Sequence, residues 1–223
     1  MNARLKLHNW LVSRCSLFLI CLFFTGVVHP HPHNWIALKS TFLLDDDSRL
    51  VSIKQRWTFD FYRSLIMHAD LLNEFGSEAR GLPTTAENMI KNLESYRYFS
   101  NLSVDNSPIT LGVPASFELI KTENDGQLIL VLEMTFDVKK NIKVENKTIA
   151  WRVFDPTYYI AMNHSTERDI NIVGGDATEC AIALEFPKPS AELIDYAQSL
   201  DRSQKDTDGL GASFAETAFI TCF

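Results

Sequence analysis

His29-Pro30-His31-Pro32-His33 places three of the chain's six histidines on one short stretch. Neutral imidazole is the commonest side-chain metal ligand, and a proline between each pair stiffens the backbone so that alternating rings project from an extended segment. Zn, Ni or Co would suit such ligands, with one or two imidazole or carboxylate groups from a folded domain completing the shell. If His29 begins the processed chain, its free amine becomes a further donor. The competing reading is an exposed tail whose histidines are idle.

Further candidates are scattered. His164, flanked by Asn163 and Ser165 after a strand-like run, is a candidate partner for the same site, or a surface turn residue. Asp60 and Asp155 each end a strand. Either can serve as a carboxylate ligand or orient a ligand histidine, while local bonding predicts a helix cap for Asp60 and a turn before Pro156 for Asp155. His68 lies on an apolar helical stripe, where a core histidine bonded to backbone is the ordinary account. Asp45-Asp46-Asp47 lacks the spaced ligands, central Gly and closing Glu of a calcium loop and reads as a hairpin tip. Gly-x-Ser-x-Gly, His-Glu-x-x-His, phosphate-loop and dinucleotide patterns are all missing.

These residues follow an N-terminal leader. Arg4, Lys6 and Arg14 precede an uncharged apolar run from Cys15 to Val28, a basic region followed by a hydrophobic one. The run is shorter than the about 20 residues that span a bilayer. Residues 1–28 are therefore expected to be a signal peptide for export to the periplasm, and residues 29–223 the mature domain. The alternative is an uncleaved anchor in the inner membrane, because no small-x-small pair stands before the histidines. The chain carries a net charge of −7, and loss of three bases with the leader makes the remainder more acidic. That argues against nucleic acid or an anionic membrane as partner.

Hydrophobic residues make up 46% of the chain, with 15 Phe, enough for one well-buried domain. Cys15 and Cys21 fall in the leader, so Cys180 and Cys222 are the remaining pair. In an oxidising compartment they are expected to form a disulfide; a two-Cys metal site competes, without CxxC spacing to support it.

The elements that must position these groups are legible as changes of period. Trp35–Leu44 and Leu50–Phe59 alternate around a polar turn and predict a β-hairpin, with Val51, Ile53, Gln55 and Trp57 on one face and Lys54 and Arg56 on the other. Phe61, Leu65, His68, Leu72 and Phe75 predict a helix ending near Gly76. A second helix is expected beyond Pro83, with Thr84 and Glu87 as a capping box and Met89, Ile90, Leu93 and Tyr96 as its stripe. Ala115–Lys121 and Leu128–Val138 are strands joined through Asp125-Gly126. Lys147–Phe154 and Thr157–Met162 follow as strands, then Cys180 to Phe186 in clean alternation. Ser190 caps a helix carrying Leu193, Ile194, Ala197 and Leu200. Residues 201–211 read as a mobile loop and Ala215–Phe223 as a strand or short helix.

Four ordered motifs carry a resemblance. The His31-Pro32-His33-x-Trp35-Ile36 start, Arg56-Trp-Thr-Phe-Asp60, Phe154-Asp-Pro-Thr-Tyr-Tyr159, and Gly209-Leu-Gly-x-x-Phe-Ala-Glu216 before Cys222 together resemble the DUF1007 family. The resemblance implies a periplasmic component of an ABC-type transport system, beside nickel/cobalt-type permeases. His29 lies outside that pattern, and the small residue that usually precedes His-Pro-His is absent.

The expected fold is one α+β domain. A mainly antiparallel, twisted sheet carries about three helices on one side, with the C-terminus tied by Cys180–Cys222. The expected function is a non-enzymatic accessory or binding component of a divalent-metal (Zn, Ni or Co) uptake system, partnered by an inner-membrane permease. An exported metal-dependent hydrolase is the alternative, and a structural envelope protein without metal is a third reading. The chain is short for a two-lobed solute trap that closes over its cargo.

Overall fold

The computed structural model describes Pro32 and residues 34–175, 179–200 and 209–223. His29, His31 and His33, the expected leader, and residues 201–208 of the expected loop lie outside these.

Period-two alternation builds the first hairpin. In β1 (Asn34–Leu44), Ile36, Leu38, Ser40, Phe42 and Leu44 are buried while Trp35 and Leu43 face out. β2 (Arg49–Phe59) buries Ile53, Gln55, Trp57 and Phe59. The Asp45 carboxylate closes the turn by accepting from the main-chain N–H of Asp47 and Arg49, the Asx geometry that makes Asp a turn residue. On the outward face, Lys54 and Arg56 pair with Glu133 of the neighbouring strand. Burial pushes Glu133 up, but the two cations outweigh it and hold its carboxyl below the ordinary value.

The remaining strands of this sheet are β5 (Ser116–Asn124), β6 (Gln127–Lys143), β8 (Ile160–Asn163) and β9 (Ile170–Val173). The order is β5-β6-β2-β1-β8, with β9 also on β1. β8 and β9 run parallel to β1, and the other pairings are antiparallel. A second layer holds β3 (Ser100–Val104), β4 (Ser107–Ile109) and β7 (Lys147–Val153) in the order β4-β3-β7. The ribbon of β10 (Cys180–Glu185) and β11 (Thr217–Cys222) lies against β7, where Thr148 and Thr221 hydroxyls meet at 3.1 Å. Phe42 of β1 meets Trp151 of β7 edge-on, with ring centroids 5.9 Å apart, so the core fills the space between the layers. The α+β class and the single domain follow the sequence expectation.

Helix α1 (Phe61–Phe75) has the expected bounds. Asp60 caps it by accepting from the Arg63 N–H, and Gly76 ends it at φ 74°, a left-handed conformation cheap only for glycine. Its buried face differs from the expected stripe: Ser64, Met67 and Leu71 point inward, while Leu65 and Leu72 are exposed. The cause is tertiary. Ser64 Oγ accepts from the Leu130 N–H at 2.9 Å beyond the last β2–β6 pair, and that bond fixes the helix's rotation.

Helix α2 (Glu78–Glu94) begins before Pro83, not after it. Proline in the sixth helical position forfeits one backbone bond, yet Gly81 lies so close to α1 that a Cβ there would stand 2.6 Å from Leu71 Cδ1. Packing of α1 on α2 thus carries the helix through the proline. Thr84 donates back to the Arg80 carbonyl instead of capping. α3 (Ala191–Ser199) starts at Ser190 as expected, and with α4 (Leu210–Phe214) it forms a small separate cluster of Ala197, Leu200 and Leu210. The C-terminal segment is the strand β11. Cys180 and Cys222 stand directly opposite across the ribbon and are disulfide-bonded. Cys180 is half-buried, less than strict alternation implies.

Candidate functional site

A chain of buried hydrogen bonds joins four elements. Ser40, the polar residue on the buried face of β1, receives the Trp151 indole N–H from β7 at 3.0 Å. Its Oγ lies 2.9 Å from Nε2 of His164, the residue after β8. His164 Nδ1 stands 2.6 Å from Glu216 Oε1, and the His164 main-chain N–H reaches the same oxygen at 2.5 Å. A carboxylate oxygen can only accept, so Nδ1 carries a hydrogen and donates to Oε1, while Nε2 and the serine hydroxyl share the second bond. Ser40, His164 and Glu216 are 1%, 2% and 4% exposed.

The order serine, imidazole, carboxylate is that of a nucleophilic relay. Here, however, the serine oxygen is sealed from solvent and already holds the indole N–H, so a carbonyl carbon has no approach to it. Hydrolysis of 4-nitrophenyl acetate by the purified protein is accordingly expected to equal that of Ser40→Ala, measured by nitrophenolate release. A rate lost on substitution would establish an open relay.

What the arrangement does provide is an oriented carboxylate. Both His164 donors are spent on Oε1, and Oε2 is buried with no hydrogen-bond partner among the described residues. Such an oxygen costs about 1–3 kcal/mol unless something satisfies it. Glu216 lines a cavity of about 320 Å³ whose wall also includes Pro32, Trp35, Asp155 and Asn163. His31 and His33 flank Pro32 in sequence.

Two of the sequence motifs are bound together at this cavity. A Cβ on Gly211 would stand 1.9 Å from the Asp155 carbonyl oxygen, and the Gly211 N–H donates to the Pro156 carbonyl at 3.0 Å. Tyr158 and Phe214 stack with centroids 4.1 Å apart. Burial pushes the Tyr158 phenol above its ordinary value. Arg152 donates to the Ala212 carbonyl and lies over the Phe154 ring.

The other sequence candidates are placed as follows. Asp155 is buried with both carboxylate oxygens engaged, by the N–H and hydroxyl of Thr157 and the N–H of Ile160. Asp60 caps α1 and lines a different, larger groove. His164 has both ring nitrogens bonded. With Asn34 opposite Ile160 and Ala37 opposite Asn163, His164 sits level with Leu38, roughly 13 Å up the strand from Asn34. His68 bonds to Glu78, not to backbone. No group of three or more His, Cys, Asp or Glu suited to hold a metal occurs among the described residues. Sequence reasoning nominated neither Ser40 nor Glu216. Ser40 was visible as the one hydroxyl in an otherwise apolar register, and Glu216 as the acid closing the Gly-Leu-Gly motif.

The fold and site define a two-layered α+β domain with a buried imidazole–carboxylate pair beside a half-open cavity. The chain belongs to the family described as "Protein of unknown function (DUF1007)", whose model matches residues 16–222. An uncharacterized protein of Haemophilus influenzae is 29% identical over 214 residues, covering 92% of this chain and 97% of that protein. No solved structure matches. Among the described residues no helix is long and apolar enough to cross a membrane.

Proposed function

We propose that this protein is an exported, non-enzymatic accessory or binding component of a divalent-metal (Zn, Ni or Co) transport system, working in the periplasm beside an inner-membrane permease. The observation that carries the reading is the buried, unsatisfied Oε2 of Glu216, a residue that together with Pro32 lines one cavity. A carboxylate held through its other oxygen by two N–H donors is already oriented, as outer-shell bonds orient metal ligands. His31 and His33 would add imidazoles, and this mixed N/O set suits Zn, Ni or Co better than Mg or Ca. In this reading His164 orients Glu216 instead of binding metal. The Cys180–Cys222 disulfide is consistent with export.

Calorimetric titration of the mature protein with each of the three metals tests this. The parent is expected to bind at least one, a double His31→Ala/His33→Ala variant to lose it, and Glu216→Gln to weaken it about 10- to 100-fold. No heat from any metal refutes the reading. Binding unchanged in both variants removes these residues from the site.

A further inference from the structure

The larger groove, about 860 Å³, runs along α1 and α2 and the ends of β1, β2 and β8. Its floor is apolar and adaptable, with Met67 and Leu71 from α1 and Met89 and Leu93 from α2. At its edge Trp35 and Ile66 remain 56% and 54% exposed, and Tyr62 beside them is exposed too, so the apolar surface of the groove continues outward.

The charged lining is mainly acidic, with Asp60, Asp70 and Glu74 against one cation, Arg63. Asp70 and Glu74 stand four residues apart on α1, where like charges repel, and neither forms an ion pair among the described residues. Asn88 and Asn92, also four apart, line the α2 side. An apolar trough walled by an acidic row on one side and amides on the other matches an amphipathic helix with basic flanks. α1, with 15 residues, is about 22 Å long, so three to four turns of a partner would fit alongside. Trp35 and Ile160 line both this groove and the Glu216 cavity, so an occupant would lie next to that cavity.

We infer that the α1–α2 groove docks a helical segment of another protein that carries an apolar stripe flanked by Lys or Arg. The inference does not depend on metal binding at Glu216.

The probe is a fluorescein-labelled helical peptide, about 14 residues long, with Leu at helical spacing and Lys on both flanks. Its counterpart has Glu in place of Lys. Binding is followed by anisotropy and by the emission of Trp35 in the parent and in Trp35→Phe. The Lys peptide should bind about tenfold tighter than the Glu peptide, a preference that fades with salt. Asp70→Lys/Glu74→Lys should reverse the preference. Ile66→Asp should weaken both peptides by at least about tenfold. All three positions are exposed, and circular dichroism checks that each variant folds. Equal affinity for the two peptides, an unreversed preference in the charge-swapped variant, or binding indifferent to Ile66→Asp overturns the inference. Self-association of the parent that Ile66→Asp abolishes would replace the partner helix with a second copy of this chain.

Discussion

His164→Ala is expected to lower the unfolding free energy by about 3–5 kcal/mol, the sum of buried hydrogen bonds left unmade and the void where the ring stood. The loss has three parts. Glu216 Oε1 keeps only the residue-164 N–H, the Ser40 hydroxyl loses its imidazole partner, and the excised ring leaves a void between β1, β8 and β11. Ser40→Ala should cost less, about 1–3 kcal/mol, because only the Trp151 N–H and one imidazole nitrogen are left unsatisfied. Urea unfolding followed by circular dichroism measures both. In a double-mutant cycle His164→Ala and Glu216→Ala should be strongly non-additive, since each removes the same bond. A loss below about 1 kcal/mol for His164→Ala would mean that water reaches the pair and that Glu216 is not held in place.

Breaking the Cys180–Cys222 bridge carries the second large effect. The half-cystines are 42 positions apart, and in the chain-entropy account the released loop destabilises the protein by about 3–4 kcal/mol. The consequence is local as well as global. β11 follows Glu216 directly and contacts β7 through Thr221, so the ribbon that the bridge closes also supports the carboxylate. Unfolding of a Cys180→Ala/Cys222→Ala variant, or of the parent in reducing agent, should therefore show a lower urea midpoint, and the C-terminal strand should exchange its amide hydrogens earlier than β1 and β2. Coincident unfolding curves with and without reductant would show that the bridge constrains nothing the fold does not already hold.

The elements readable from the chain are those whose signals are local. The first hairpin is written in alternation and in an Asp whose carboxylate bonds two residues ahead. α1 is bounded by Asp60 and Gly76, each doing a job that needs only its immediate neighbours. Ser190 announces α3 in the same way. The cysteine pair followed from arithmetic, once Cys15 and Cys21 were assigned to an expected leader.

Local signals failed where a distant partner decided the outcome. The Thr84 capping box is real as a pattern, but the close approach of Gly81 to Leu71 continues the helix backwards through Pro83. Leu65 and Leu72 satisfy a helical stripe as well as Met67 and Leu71 do, and the Ser64–Leu130 bond together with the packing of Leu71 on Gly81 selects the face that is buried. The site shows the same division. Sequence by itself determined that a histidine-rich segment precedes the first strand and that Cys180 and Cys222 pair, while the serine in the apolar register of β1 passed without a role. Tertiary structure alone decided that Ser40 meets His164 from 124 residues away, that His164 spends both ring nitrogens on Ser40 and Glu216, and that Glu216 and Pro32 line one cavity. A buried polar group takes whatever partner the packed layers bring within about 3 Å, and no spacing along the chain encodes that distance.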